Sequence, residues 1–151
     1  VDQTVDETLL DILQQCQLGQ LAARVGGGDP IKGLATARDW SKELSLGEQQ
    51  RLAFARVMYN RPSLVVLDEA TSALDLRAEQ KMYQNLAALN NTFYISVGHR
   101  PSLLNYHNCK LILEVPSTDQ GPVGSMGSTG RLVPIDQDMQ KTGIIDLTTS
   151  S

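Results

Sequence analysis

Long runs of one residue type are missing from this chain of 151 residues. It has no cluster of Lys or Arg, and its net charge is -4, so the sequence does not favour a nucleic-acid or anionic-lipid surface. No stretch approaches the roughly 18 to 20 consecutive apolar residues that a membrane-spanning helix needs. We therefore expect no nucleic acid as a partner and no transmembrane segment within these residues.

Cysteine is also scarce. Cys16 and Cys109 lie far apart and form neither a CxxC pair nor a cluster with His, which argues against a disulfide framework and a zinc site. The two thiols fit a reducing compartment, and we expect both to be half-buried packing residues. The chain starts with Val1 rather than Met and shows no signal peptide, which favours a fragment or a processed product.

The first part of the chain predicts helices. Apolar side chains recur at helical spacing over residues 4–24, behind a Thr4-x-x-Glu7 capping box, and Gly19 divides this segment into two helices. Another helix is predicted over residues 45–60, because an S-x-x-E capping box opens it and Pro62 follows its end.

Three glycines at residues 26–28 invite comparison with a phosphate-binding loop. A P-loop has the pattern GxxxxGK[ST], and counting from Gly26 places Ile31 at the second glycine and Gly33 at the serine or threonine. No strand precedes the segment either. We therefore predict a plain loop that ends at Pro30, and no Walker A motif in this chain.

The middle of the chain alternates strands and helices. Residues 64–67 are a short apolar run rich in valine, which is typical of a fully buried parallel strand. This order predicts an α/β layer with a parallel sheet, whose ligands gather at the carboxyl ends of the strands. The further predicted elements are a helix over 75–89, a strand over 92–97, a short helix over 101–106 and a third strand over 111–115.

The composition changes near residue 115. About half of residues 115–151 are Gly, Pro, Ser or Thr, and none is aromatic. We therefore predict one folded domain over residues 1–115 and a disordered tail over residues 116–151.

Two adjacent acids end the first predicted strand. Hydrolysis of a nucleoside triphosphate needs a magnesium ion, a positioned water and donors that stabilise charge on the γ-phosphate. Asp68 is the residue type that holds Mg²⁺ through oxygen, and Glu69 can orient or deprotonate the attacking water. His99 follows the next strand and can donate a hydrogen bond in either charge state. Because the acids and His99 both lie beyond strand ends, we expect them to converge on one site.

The start of the predicted helix over 45–60 is a candidate anion site. Ser45 and Glu48 form its capping box, the backbone N–H groups carry the positive end of the helix dipole, and Gly47 allows close approach. Simple helix capping is the alternative interpretation, and both can hold together.

These motifs follow the order found in the ABC transporter ATPases, which the sequence resembles over approximately residues 1–115. Residues 44–51 are similar to the LSGGQ signature, with Leu46 for the first glycine and Glu48 for the glutamine. The acid pair is followed by a matching Ser-Ala-Leu-Asp turn at residues 72–75. The variant LSLGEQQRLAFAR, with Trp-Ser-Lys-Glu at 40–43 before it, resembles the fatty-acyl (D) subfamily and its bacterial relatives.

The resemblance implies an α/β fold that is the C-terminal part of a P-loop NTPase (ABC ATPase) core with parallel strands, over residues 61–115. Residues 1–60 would be part of the helical subdomain. It also implies a role for each matching residue: Asp68 for the metal, Glu69 and His99 for catalysis, Ser45, Leu46, Gly47 and Glu48 for the partner's nucleotide, and Asp75 for the dimer contact.

The implied function is part of an ATP-binding and ATP-hydrolysing domain that powers transport of a lipid-like or acyl substrate across a membrane. Its cofactors would be ATP and Mg²⁺. Its partners would be a second nucleotide-binding domain, in a homo- or heterodimer, and a transmembrane domain N-terminal to Val1. The domain would lie on the reducing cytosolic or stromal side of a membrane. Without Walker A and the glutamine loop, we expect this fragment alone to be inactive.

Two other functions stay open. A soluble ABC-type ATPase of translation or DNA repair shares these motifs, but it requires a tandem ATPase domain or a nucleic-acid-binding insertion, and the acidic chain shows neither. The second alternative is a hydrolysis-incompetent fragment that joins an ABC dimer without turning over ATP.

Overall fold

The structure, a computed structural model, describes residues 3–114 and 129–135. The chain divides into two compact units, Val1–Gly98 and His99–Ser151. In chain order the elements are α1 (Gln3–Gln15), α2 (Leu21–Val25), α3 (Pro30–Leu34), α4 (Trp40–Glu43), α5 (Leu46–Asn60), β1 (Leu64–Asp68), α6 (Leu76–Ala87), β2 (Phe93–Val97), a 3-10 helix (Pro101–Tyr106), β3 (Cys109–Glu114) and β4 (Thr129–Pro134).

Helices α1 and α2 confirm the predicted break near Gly19, because α1 ends at Gln15 and α2 begins at Leu21. Helix α1 begins at Gln3, so Thr4 is its second residue rather than its N-cap. The apolar stripes of these helices pack inward with those of α5. The buried apolar residues of this helical part are Leu13, Cys16, Leu18, Leu21, Ala22, Leu44, Phe54, Ala55 and Met58.

The predicted glycine loop holds only up to residue 29. Pro30 begins helix α3, because proline suits the first helical position and the Asp29 side chain caps the helix. That carboxylate accepts from the backbone N–H groups of Ile31 and Lys32 at 3.0 and 3.2 Å. Gly27 and Gly28 have positive φ, as the turn before this cap requires. The prediction of a loop ending at Pro30 is therefore wrong at its end, and α3 and α4 were not predicted.

Strands β1 and β2 pair in parallel, as predicted, with a register that runs from Leu64 opposite Phe93 to Asp68 opposite Val97. Alternate residues of β1 are buried, and Leu64 and Val66 on the other face are 56% and 65% exposed in the described chain. The prediction of a fully buried strand is therefore wrong for one of its two faces.

Helix α6 joins the sheet to α5 through Tyr83, which is 2% exposed. The hydroxyl groups of Tyr83 and Ser96 are 2.8 Å apart, and the Tyr83 ring lies 5.8 Å from that of Tyr94. On its other side the Tyr83 ring meets Phe54 of α5 edge to face, with the centroids 6.3 Å apart. Tyr83 thus fixes α5 against the layer that carries the acid pair.

The second unit corrects two predictions. Strand β3 pairs antiparallel with β4, whereas the predicted layer has parallel strands. Strand β4 lies in the segment predicted to be disordered, so that prediction is wrong for residues 129–134. This strand was not predicted because Gly130 and Pro134 have low strand propensity, and only pairing with β3 compensates for them. The remaining parts of the predicted tail, 116–128 and 136–151, lie outside the described residues, as does Val115.

The two cysteines differ from the half-buried state expected of both. Cys16 is 0% exposed, and its Sγ atom lies 3.4 Å from Sδ of Met58, whereas Cys109 on β3 is exposed. Burial raises the pKa of the Cys16 thiol to about 11.

Across residues 3–114 and 129–135, no helix is long and apolar enough to cross a membrane.

Alkylation should therefore distinguish the two thiols. At pH 8 we expect iodoacetamide to modify Cys109 and to leave Cys16 unmodified, because a buried thiol with a pKa of about 11 is only about one thousandth ionised at that pH. Peptide mass spectrometry of the native chain measures both sites, with the urea-unfolded chain as the control in which both react. Equal rates at both sites under native conditions would contradict the burial of Cys16.

Candidate functional site

The acid pair stands where β1 leaves the sheet. Asp68 is the last residue of β1, and the backbone N–H of Glu69 donates to the Val97 carbonyl at 2.9 Å, which extends the pairing by one residue. Glu69 then adopts a left-handed backbone with φ of +48°. A non-glycine residue in this region costs about 1–3 kcal/mol and persists only where its surroundings hold it. Both carboxylates are exposed, so both can meet a ligand.

The loop after Glu69 is fixed by local hydrogen bonds. The Ser72 N–H donates to the Glu69 carbonyl at 3.0 Å, and the Leu74 N–H donates to the Thr71 carbonyl at 3.0 Å. The hydroxyl of Thr71 donates to the Glu79 carboxylate at 2.9 Å, and both residues are buried. The chain between the acid pair and α6 is therefore an ordered double turn.

Asp75 ends this turn as the N-cap of α6. Its Oδ1 atom accepts from the Ala78 N–H at 2.7 Å, which is the bond expected of an N-cap. The structure thus gives Asp75 a local role in starting α6, and its contact across a dimer stays a prediction.

The predicted capping box at the start of α5 is confirmed. The Glu48 N–H donates to Ser45 Oγ at 3.3 Å, and the Ser45 N–H donates to Glu48 Oε2 at 3.0 Å. Arg24 of α2 reaches the other carboxylate oxygen, with its nitrogen 2.8 Å from Glu48 Oε1. The hydrogen bonds from the Ser45 backbone and from Arg24 hold the pKa of Glu48 below its usual range. Glu48 therefore carries a charge where the LSGGQ motif has a neutral glutamine.

Gly47 brings this helix start against the turn at residues 72–75. A Cβ atom on Gly47 would lie 3.2 Å from the Ala73 carbonyl oxygen and 3.6 Å from the Leu74 side chain. A larger residue at this position would therefore push the two segments apart. Two segments that are separate in sequence, the signature and the turn after the acid pair, are direct neighbours in the fold.

Gln50 connects the same two segments and was missed from the sequence. Its Nε2 atom donates to the Glu69 carbonyl at 3.1 Å and to Ser72 Oγ at 2.8 Å, and its Oε1 atom accepts from the Ala73 N–H at 3.0 Å. One signal was available: Gln50 precedes the buried Phe54 by four residues and so shares the packed face of α5. A polar residue on that face needs internal partners.

Two further predicted site residues are exposed. Leu46 is 59% exposed at the start of α5, next to the capping box. His99 is exposed and begins the second unit, so its convergence with Glu69 stays a prediction. An apolar cavity of about 390 Å³ lies among α1, α2, α3 and α5, and none of the predicted site residues lines it.

Comparison with known proteins shows the family to which this sequence is similar. A family model described as ABC transporter matches residues 2–72. The chain is 51% identical to an uncharacterized ABC transporter ATP-binding protein of Synechocystis, over 68% of this chain and 14% of that protein. It is 46% identical to the chloroplastic ABC transporter D family member 2 of Arabidopsis thaliana, over 77% of this chain and 15% of that protein.

A third relative is the lysosomal cobalamin transporter ABCD4 of Mus musculus, which is 46% identical over 72% of this chain and 17% of that protein. The family match defines the class as the ABC ATPases, which are P-loop NTPases. The chain belongs to the ABC transporter family, and its relatives include members of the D family. It spans only 14% to 17% of the length of the relatives described here.

The Glu48 capping box predicts a pH-dependent stability. Glu48→Ala should lower the free energy of unfolding at pH 7 by about 0.3–1.5 kcal/mol, because the Ser45 N–H and Arg24 lose their acceptor. The folded pKa of Glu48 is depressed, so its contribution is present above the unfolded pKa of about 4.3 and is lost as the pH falls through the folded value.

Urea unfolding of the wild-type chain and the variant at several pH values measures this difference. Glu7→Ala, which removes an exposed acid from α1, is the matched control and should change little. A difference between wild type and Glu48→Ala that stays constant down to pH 3 would exclude this role for the carboxylate.

Proposed function

We propose that this chain is part of the nucleotide-binding domain of an ABC transporter, which binds and hydrolyses ATP to power transport across a membrane. The observation that carries the proposal is the direct contact between the signature segment and the turn behind the acid pair, made by Gly47 against Ala73 and by Gln50 on Glu69. Such contact gives the family's two motifs one physical connection. Family membership supports the same function.

Asp68 is the proposed Mg²⁺ ligand. Its carboxylate is exposed at the carboxyl end of β1, and magnesium in phosphate-transfer sites is held through one or two carboxylates, waters and the phosphates themselves. The donor set at this strand end therefore fits the ion. When bound, Mg²⁺ would neutralise charge on the phosphate groups.

Glu69 is the proposed group that orients or deprotonates the attacking water. The left-handed backbone turns its side chain out of the strand pattern, and the bond to Val97 fixes the point at which the turn occurs. His99, two residues beyond Val97 in the chain, is the proposed donor to the γ-phosphate. These two residues would supply the catalytic groups of the site.

Ser45, Leu46, Gly47 and Glu48 are proposed to contact ATP bound by a second nucleotide-binding domain. Four backbone N–H groups at a helix start lack helical partners, and the helix dipole favours an anion there. Ser45 and Glu48 already satisfy part of that set through the capping box. The partner's nucleotide would meet the N–H groups that remain, with Asp75 at the dimer contact.

The proposed cargo is a lipid-like or acyl substrate. The signature variant, which resembles that of the fatty-acyl subfamily, supports this class, whereas one D-family relative is named as a cobalamin transporter. The proposed partners are a second nucleotide-binding domain and a transmembrane domain, and the proposed location is the cytosolic or stromal face of a membrane. By itself the chain should bind ATP weakly, because no Walker A sequence occurs in it.

Glu69→Gln tests the catalytic assignment. In the complete protein that contains this chain, we expect phosphate release to fall by about 10²–10⁴-fold while ATP-dependent dimerisation persists, because the amide cannot accept the proton but keeps the shape. Malachite-green assay and size-exclusion chromatography measure the two properties. Glu7→Gln is the control and should turn over normally. Retained turnover in Glu69→Gln would remove Glu69 from the mechanism, whereas absence of turnover in the complete wild-type protein would favour a fragment that does not hydrolyse ATP.

Ser45→Arg tests the signature segment. The long cationic side chain at the helix start should weaken the ATP-bound dimer, because it obstructs the surface that the partner's nucleotide would contact and opposes the helix dipole. Dimerisation in the Glu69→Gln background is the measurement, and Ser41→Arg on α4 is the control for an added exposed arginine. Unchanged dimerisation would leave Ser45 with helix capping alone.

A further inference from the structure

The Gln50 side chain forms hydrogen bonds both to the Glu69 carbonyl and to the turn at residues 72–75. Its amide uses both ends: the NH₂ group donates to Glu69 O and to Ser72 Oγ, and the carbonyl accepts from the Ala73 N–H. Glu69 and Ala73 lie 19 and 23 positions after Gln50 in the chain. The amide therefore joins α5 to the loop that follows β1.

A hydrogen bond to the Glu69 carbonyl helps to hold the unusual backbone conformation of this residue. Glu69 has positive φ, a conformation that costs free energy unless its neighbours hold both of its peptide groups. The N–H on one side donates to Val97, and the carbonyl on the other side accepts from Gln50 and from the Ser72 N–H. Loss of the Gln50 donor would free one of these constraints and let the backbone relax toward negative φ, which would turn the Glu69 side chain to a new direction.

The position of Gln50 in α5 adds a second consequence. Gln50 lies in the same helix as the Ser45 cap, with Gly47 packed against Ala73 between them. Any shift of the start of α5 must therefore act on the Glu69 carbonyl through one rigid helical turn and one amide group.

We propose that Gln50 is a positioning residue for Glu69, which holds the left-handed backbone and so aims the carboxylate, and which transmits the position of the signature segment to the acid pair. The inference rests on the proposed function, because it concerns the efficiency of the hydrolysis assigned to Glu69. It assigns to Gln50 no contact with the nucleotide.

Two variants separate the bonds. Gln50→Ala removes all three. Gln50→Glu keeps an oxygen that accepts from the Ala73 N–H and, by reorientation of the Ser72 hydroxyl, from Ser72, but it cannot donate to the Glu69 carbonyl. Asn60→Ala is the matched control, because Asn60 also lies in α5 and its side chain donates to a backbone carbonyl, that of Arg56, at 2.8 Å.

In the complete protein, we expect kcat for ATP hydrolysis to fall about 10–100-fold in both Gln50 variants, with KM for ATP within about twofold, since misplacement of a catalytic group by about 1 Å has effects of this size. Asn60→Ala should keep both constants. The thermal midpoint of each variant identifies general loss of structure.

The coupling between the Gln50 and Glu69 substitutions distinguishes a positioning role from a purely structural one. In single-turnover measurements, Gln50→Ala added to Glu69→Gln should lower the rate by less than about twofold, because Gln50 acts through a carboxylate that is already gone. Normal kcat in Gln50→Ala would overturn the proposal, and so would equal losses in the presence and absence of the Glu69 carboxylate. Retained turnover in Glu69→Gln alone would instead overturn the assignment of Glu69, and absence of ATP hydrolysis in the complete wild-type protein would overturn the proposed function, so these failures are distinguishable.

Discussion

The hydrogen bond from the Glu69 N–H to the Val97 carbonyl decides how the rest of the site is built. It extends the parallel pairing of β1 and β2 one residue past Asp68, at the point where the chain must leave the sheet. Because the N–H of Glu69 is held in the sheet while its carbonyl serves the next turn, the residue takes a left-handed backbone. Asp68 therefore still belongs to the strand, whereas Glu69 begins the turn.

The packing of helices α5 and α6 also depends on the loop by which the chain leaves β1. Thr71, held by its hydrogen bond to Glu79, fixes the loop to α6, and Tyr83 of α6 contacts both β2 and Phe54 of α5. This packing brings α5 close enough for Gly47 and Gln50 to meet the turn at residues 72–75. The buried contact between Tyr83 and Phe54 thus sets the distance of α5 from the sheet, and the exposed hydrogen bonds of Gln50 set the orientation of α5 against the turn.

The negative charge at the start of α5 is stabilised by neighbouring groups. A carboxylate three residues after the N-cap is favourable near the positive end of the helix dipole, and Glu48 takes its donors from Ser45 and Arg24. The exposed salt bridge with Arg24 adds little stability by itself, since exposed pairs are screened by water and salt. The backbone bond within the capping box is the larger cause of the depressed pKa of Glu48.

Sequence alone determined the features that need only neighbouring residues. The Ser45–Glu48 cap, the end of α5 before Pro62, the two strand segments β1 and β2 and the acid pair at a strand end all follow from signals within a few positions. Tertiary structure decided what depends on distant partners: the burial of Cys16 beside Met58, the pairing of β4 with β3 and the bonds of Gln50 to Glu69 and Ala73. Propensity and periodicity describe one segment at a time, whereas a hydrogen bond across 19 residues exists only once two segments have packed together.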